Sequence, residues 1–173
     1  VASLFRRRGF NIDSLAVGTT EEQGVSRMTI VLEGEDGIVQ QVEHQLNKLI
    51  DVIKVSDLSQ VESVSRELAL LKVRCGTLNR RKVIDIVEIF RAQVVDVSPT
   101  TLVIQIVARG DRLEALIENL KPYGVLEMVR TGRVAMARGE QVTAVHEQES
   151  EEVQRFHTES GRRPEGELPY VSK

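Results

Sequence analysis

"MTIVLEGEDGIVQQVEHQLNKLIDVIKVSDLS", Met28 to Ser59, decides the fold once it is set above "LVIQIVARGDRLEALIENLKPYGVLEMVRTGRVA", Leu102 to Ala135. Each stretch opens on a β-branched, alternating run and reaches a glycine, Gly34 or Gly110. Each then presents an acidic N-cap candidate, Asp36 or Asp111, and enters a segment of helical apolar period. In the first, Ile38, Val42, Leu46 and Leu49 share one helical face. In the second, Leu113, Leu116, Ile117 and Leu120 do, with Asp111 and Glu114 spaced as a capping box. Both stretches return through an alternating run, about Val52 to Leu58 and Val125 to Val134, read as a strand. An internal repeat of this length is the sequence of one supersecondary unit used twice.

Upstream the correspondence continues. "LFRRRGFNIDSLAV", Leu4 to Val17, matches "IFRAQVVDVSPT", Ile89 to Thr100, as a helix end running through Phe and Arg into a strand that carries Asp13 or Asp96. The second copy has a helix before this junction, about Asn79 to Arg91, with Val83, Ile86, Val87 and Phe90 inward. Before that helix comes a strand, "RELALLKVRC", Arg66 to Cys75. The second unit therefore reads strand, helix, strand, strand, helix, strand, which is the ferredoxin-like order in an α+β fold. The first unit reads the same without its opening strand, so a strand and its loop are expected ahead of Val1. The expected organisation is two ferredoxin-like units, 1–62 and 63–139, followed by a flexible polar tail, 140–173, carrying at most one loose helix.

Composition fits this reading. The 173 residues are 41% apolar and 28% charged, a globular balance, and the net charge of −3 gives no basic surplus for a phosphate backbone. A ferredoxin-like sheet that binds RNA stacks bases on strand aromatics. Aromatics are only 3% of this chain, and "RMTIVLEG" and "LVIQIVARG" contain none, so nucleic acid is not an expected partner. No apolar run approaches the roughly 20 residues of a membrane span, and a soluble, cytoplasmic protein is expected. Units of this size have small cores and sheets covered on one face, which predicts a homodimer or higher oligomer.

Chemistry-bearing residues are few. The one cysteine, Cys75, sits at the end of a strand as apolar filling without a nearby base, and His44, His146 and His157 have no ligand spacing. No catalytic residues and no metal site are expected. "GEDGIV", Gly34 to Val39, has its glycines at a strand-to-helix junction where turn geometry explains them. Arg6, Arg7 and Arg8 read as cations at a helix C-terminus, with Gly9 leading out, in preference to a phosphate site. Asn11, at the helix-to-strand junction, is accounted for by a plain turn through its own local hydrogen bonds, and the alternative is that it faces a ligand. Its amide both donates and accepts, as a ligand with ammonium and carboxylate groups requires.

The set "LFRRRGFNIDSLAVG", "SRMTIVLEG", "QQVEHQLNKLIDVIKVSDLS", "RELALLKV", "EIFRAQVVDVSPTTLVIQI" and "VRTGRVAMARG" resembles the regulatory small subunits of acetolactate synthase, also called acetohydroxyacid synthase, over residues 1 to about 139. The resemblance implies an ACT domain followed by an ACT-like domain. It implies a chain that binds and stimulates a catalytic large subunit and confers feedback inhibition by a branched-chain amino acid, commonly valine. Thiamine diphosphate, magnesium and FAD would belong to that large subunit, with no cofactor in this chain. The effector would lie between two ACT domains, and the positions matching the family's site are Asn11, Ile12, Val17 and Gly18. The facing loop has no counterpart here. Cytoplasm, or plastid stroma for a plant protein, is the implied compartment. A freestanding amino-acid-binding ACT module acting on another partner is the alternative.

Overall fold

The computed structural model describes Phe5, residues 10–34 and residues 36–143. The arginine run, the acidic Glu35 and the tail beyond 143 lie outside the described residues.

The C-terminal unit is the more complete. Its long first strand, β3 (Ser63–Arg74), alternates buried and exposed positions, with Glu67, Ala69, Leu71 and Val73 turned inward. Helix α2 (Arg80–Ile89) follows, then β4 (Gln93–Val97), β5 (Thr101–Ala108), α3 (Gly110–Leu120), a 3-10 turn (Lys121–Tyr123) and β6 (Val125–Arg130). The strands lie in the antiparallel order β4-β5-β3-β6, so the first and third strands of the unit are central. This is the ferredoxin-like order expected from the repeat, with both helices on one face. Fourteen described residues form the buried core, among them Leu71, Val73, Leu102, Ile104, Leu113, Leu116 and Leu120. Residues spaced three and four apart on the helices meet alternate residues on the strands because the two periods present one apolar face each.

Three local readings need correction. The expected strand from Val125 to Val134 is two strands: β6 ends at Arg130, and β7 (Val134–Ala137) resumes against the N-terminal part of β3. The break falls at Gly132, whose φ of +83° is a left-handed conformation that ends a ladder. The capping box of Asp111 and Glu114 does not form. Helix α3 starts at Gly110, Asp111 accepts from the backbone N–H of its neighbour Arg112 at 2.8 Å, and Glu114 is taken by Arg130 at 2.6 Å. Helix α2 runs from Arg80 rather than Asn79, and no side chain caps its start. The Arg80 guanidinium instead ties the preceding turn down, donating to the carbonyls of Cys75, Ser98 and Pro99 at 3.2, 2.7 and 2.9 Å.

In the N-terminal unit, β1 (Ile12–Thr19) and β2 (Ser26–Leu32) form an antiparallel hairpin, and α1 (Asp36–Leu46) packs on it. Phe5, Val42 and Leu46 are buried, with Phe10, Ile12, Ile30, Leu32, Ile38, Leu49 and Val55 against them. The Phe5 and Phe10 rings meet edge to face at 6.0 Å. The expected strand from Val52 to Leu58 is not a strand. The segment carries the alternating pattern but has no ladder partner. The order of the C-terminal unit gives the reason: there the fourth strand, β6, pairs with the first strand, β3, and with no other. Among the described residues no strand occupies the corresponding place beside β2, so residues 52–58 have no ladder to join.

Cys75, directly after β3, is wholly buried in the C-terminal core. A thiol reagent is therefore expected to label the native chain slowly and to titrate one equivalent once guanidinium is added. Fast labelling in native buffer would contradict this placement.

Candidate effector site

The β1–β2 register sets Ile12 opposite Leu32, which brings Asn11 and Glu33 together at the open end of the hairpin. The Glu33 N–H donates to the Asn11 carbonyl at 3.3 Å, extending the ladder by one rung. The Asn11 Nδ2 in turn donates to Glu33 Oε2 at 2.8 Å. Asn11 is exposed, so an amide and a carboxylate stand side by side in solvent at the start of β1. Between them they offer an acceptor for an ammonium group and an amide donor for a carboxylate. Glu33 is not among the residues the sequence singles out. The signal for it is the hairpin register, since the alternating strands around the turn at 20–25 place residue 33 across from residue 11.

The four expected contact residues do not converge within one chain. Asn11 and Ile12 are adjacent, with Ile12 packed on the N-terminal core. Val17, 60% exposed, and Gly18, with open space where a Cβ would stand, sit at the far end of β1. Six residue steps separate Asn11 from Val17, roughly 20 Å at about 3.3 Å per step. A single amino acid does not span that length.

A cavity of about 720 Å³ lies elsewhere, between the unpaired edge of β2 and residues 51–59. Ile30, Leu32, Val42, Leu46 and Val55 line it, and Arg133 closes one side from the C-terminal unit. None of the four expected residues contributes to it. Among the described residues no group of three or more His, Cys, Asp or Glu is placed to hold a metal ion, and no helix is long and apolar enough to cross a membrane.

Tight ionic geometry is found at the junction of the units. Glu67, inward on β3 and 4% exposed, is the buried charge of the described core. Arg130 donates to its Oε2 from Nη2 at 2.6 Å and from Nε at 3.1 Å, and reaches Glu114 from Nη1 at 2.6 Å. The Nε of Arg133 lies 3.5 Å from Glu67 Oε1. Burial pulls the Arg130 pKa down, and the hydrogen bonds and charges of Glu67 and Glu114 more than offset it, leaving the guanidinium above its ordinary value.

Ferredoxin-like α+β units in tandem are the architecture of ACT-type proteins. Known proteins agree and narrow this class. The family model for the AHAS small subunit-like ACT domain matches residues 1–54, and the model for the small subunit of acetolactate synthase matches residues 66–139. The acetolactate synthase small subunit of Mycolicibacterium smegmatis is 52% identical over 139 residues, covering 80% of this chain and 82% of its own. That of Aquifex aeolicus is 51% identical over 139 residues, covering 80% and 72%. The crystal structure of the acetolactate synthase small subunit from Thermotoga maritima aligns with a TM-score of 0.74 at 42% identity, covering 81% of this chain and 88% of that one. The chain belongs to the acetolactate synthase small-subunit family.

Proposed function

We propose that this chain binds the catalytic large subunit of acetolactate synthase, stimulates it, and makes it subject to feedback inhibition by valine bound at Asn11. The observation that carries the effector reading is the Asn11–Glu33 pair, exposed at 2.8 Å at the end of an edge strand. In this reading Glu33 receives the ammonium, Asn11 Nδ2 turns to the carboxylate, and Ile12 offers apolar surface to the side chain. Thiamine diphosphate, magnesium and FAD belong to the large subunit.

The separation of Asn11 from Val17 fits a site built by two copies of the chain. Among the described residues β1 pairs with no strand other than β2. An unpaired antiparallel edge is a template for pairing with its own copy. Antiparallel approach of the β1 strands of two copies sets the Ile12 end of one toward the Gly18 end of the other, which brings both halves of the expected set to one interface. The homodimer and the shared effector site are thus one proposal.

The test is valine titration of large-subunit activity in the presence of wild-type chain, Asn11→Ala and Glu33→Gln. Loss of a hydrogen bond to a charged effector group costs about 1.5–3 kcal/mol, so the concentration for half-inhibition is expected to rise by roughly tenfold or more in each variant. Equal inhibition of all three would remove Asn11 and Glu33 from the effector site.

A further inference from the structure

The turn between β6 and β7, Thr131-Gly132-Arg133, is not used by the site above, yet it is held from both units. Thr131 is bound to β3 twice: its N–H donates to the Leu68 carbonyl at 3.1 Å, and its Oγ1 accepts from the Leu68 N–H at 3.2 Å. Gly132 holds a φ of +83°, and a Cβ there would stand 3.3 Å from the Leu15 carbonyl oxygen and 3.4 Å from Ser14 Cβ. Arg133 faces both units at once. Its backbone N–H donates to Ser14 Oγ at 3.3 Å, while its guanidinium reaches buried Glu67. Gly110, the first residue of α3, lies under that guanidinium: a Cβ there would be 3.3 Å from Arg133 Nη2. The turn is therefore anchored in the C-terminal core and seated on the middle of β1, the strand that carries Asn11 and Ile12.

We propose that Thr131–Arg133 is an interdomain clasp that sets the position of β1 and couples the effector site on that strand to the C-terminal unit. The coupling part rests on the effector reading above; the clasp does not. Glycine at 132 is favoured by its φ, at which any L-residue is strained, and a Cβ there would also press the Leu15 carbonyl oxygen at 3.3 Å. The arrangement has one charged anchor, one left-handed glycine and one acceptor on the far unit, and Arg133 links β1 directly to the Glu67 network. A coupled pair of sites must respond reciprocally, so release of the clasp alters effector response without touching the effector's own contacts.

Two measurements on the full chain test this. The first is hydrogen exchange of wild type, Gly132→Ala and Ser14→Ala. In Gly132→Ala the β1–β2 amides, residues 12–32, are expected to exchange about tenfold faster or more, while α2 and α3 keep their protection. Ser14→Ala, which leaves the C-terminal unit intact, should show the same pattern more weakly. Unchanged exchange in the hairpin, or equal loss in α2 and α3, overturns the clasp. The second is valine titration with the large subunit. If wild type responds to valine, both variants are expected to shift the half-inhibition concentration while Asn11 and Glu33 are present. An unshifted response in a variant whose hairpin is released overturns the coupling. A wild type that ignores valine overturns the effector reading and the coupling with it, and leaves the clasp to the exchange result alone.

Discussion

Arg130→Ala is expected to cost the C-terminal unit about 3 kcal/mol of stability. Removing one partner of a buried ion pair typically costs about 3–5 kcal/mol, because the remaining charge stays buried without compensation. The Glu67 side chain is 5% exposed, and Arg130 supplies both of its close bonds on Oε2. The low end of the range applies because Arg133 remains at 3.5 Å on Oε1 and the Arg130 side chain is itself 31% exposed. For a domain of this size the loss corresponds to a midpoint lowered by roughly 12–24 °C. Thermal unfolding followed by circular dichroism reads it, and a change below about 0.5 kcal/mol would show that Glu67 finds other partners. Replacing Glu67 and Arg130 together by methionine should recover much of the loss, since no charge is then left buried. The Arg130 pKa is raised in the folded chain. Its stabilisation is therefore present below the unfolded arginine pKa and fades only above that range, so between about pH 7 and 10 this group adds no pH dependence.

The repeat made the C-terminal unit legible because its two periodic patterns agree with its topology. The expected inward residues of α3, Leu113, Leu116, Ile117 and Leu120, are all buried, and on α2 Val83 and Val87 are buried with Ile86 and Phe90 against the core. Boundaries set by backbone conformation were less legible. Arg91 takes a φ of +52° in leaving α2, a turn that sequence would sooner assign to Gly or Asn. The β6–β7 break was hidden because Val134 to Ala137 continues the alternation across Gly132. In the N-terminal unit, apolar alternation at residues 52–58 predicts a strand that does not form, because alternation cannot supply the second strand a ladder needs. At the site, the family resemblance named residues at both ends of β1, whereas the side-chain hydrogen-bond partner of Asn11 is Glu33, which is far in sequence and reached through the hairpin register.

Leu71→Ala carries the other large expected effect, about 3–5 kcal/mol. Leu71 is wholly buried at the centre of β3, paired with Ile104 on one side and Met128 on the other. Deleting three side-chain carbons in such a place loses their transfer free energy and leaves a cavity, with typical totals of about 2–5 kcal/mol. The upper part of the range is expected because β3 is hydrogen-bonded along both edges and covered by α2 and α3, so neither the strand nor the helices can move in without breaking a ladder. Val17→Ala is the contrasting case: Val17 is 60% exposed at the end of an edge strand, and a change within about 0.5 kcal/mol is expected. Urea unfolding of both variants decides it. If Leu71→Ala loses less than about 1 kcal/mol, the sheet relaxes around the missing side chain. The C-terminal unit would then not be the rigid body on which a clasp at Gly132 and Arg133 could hold β1.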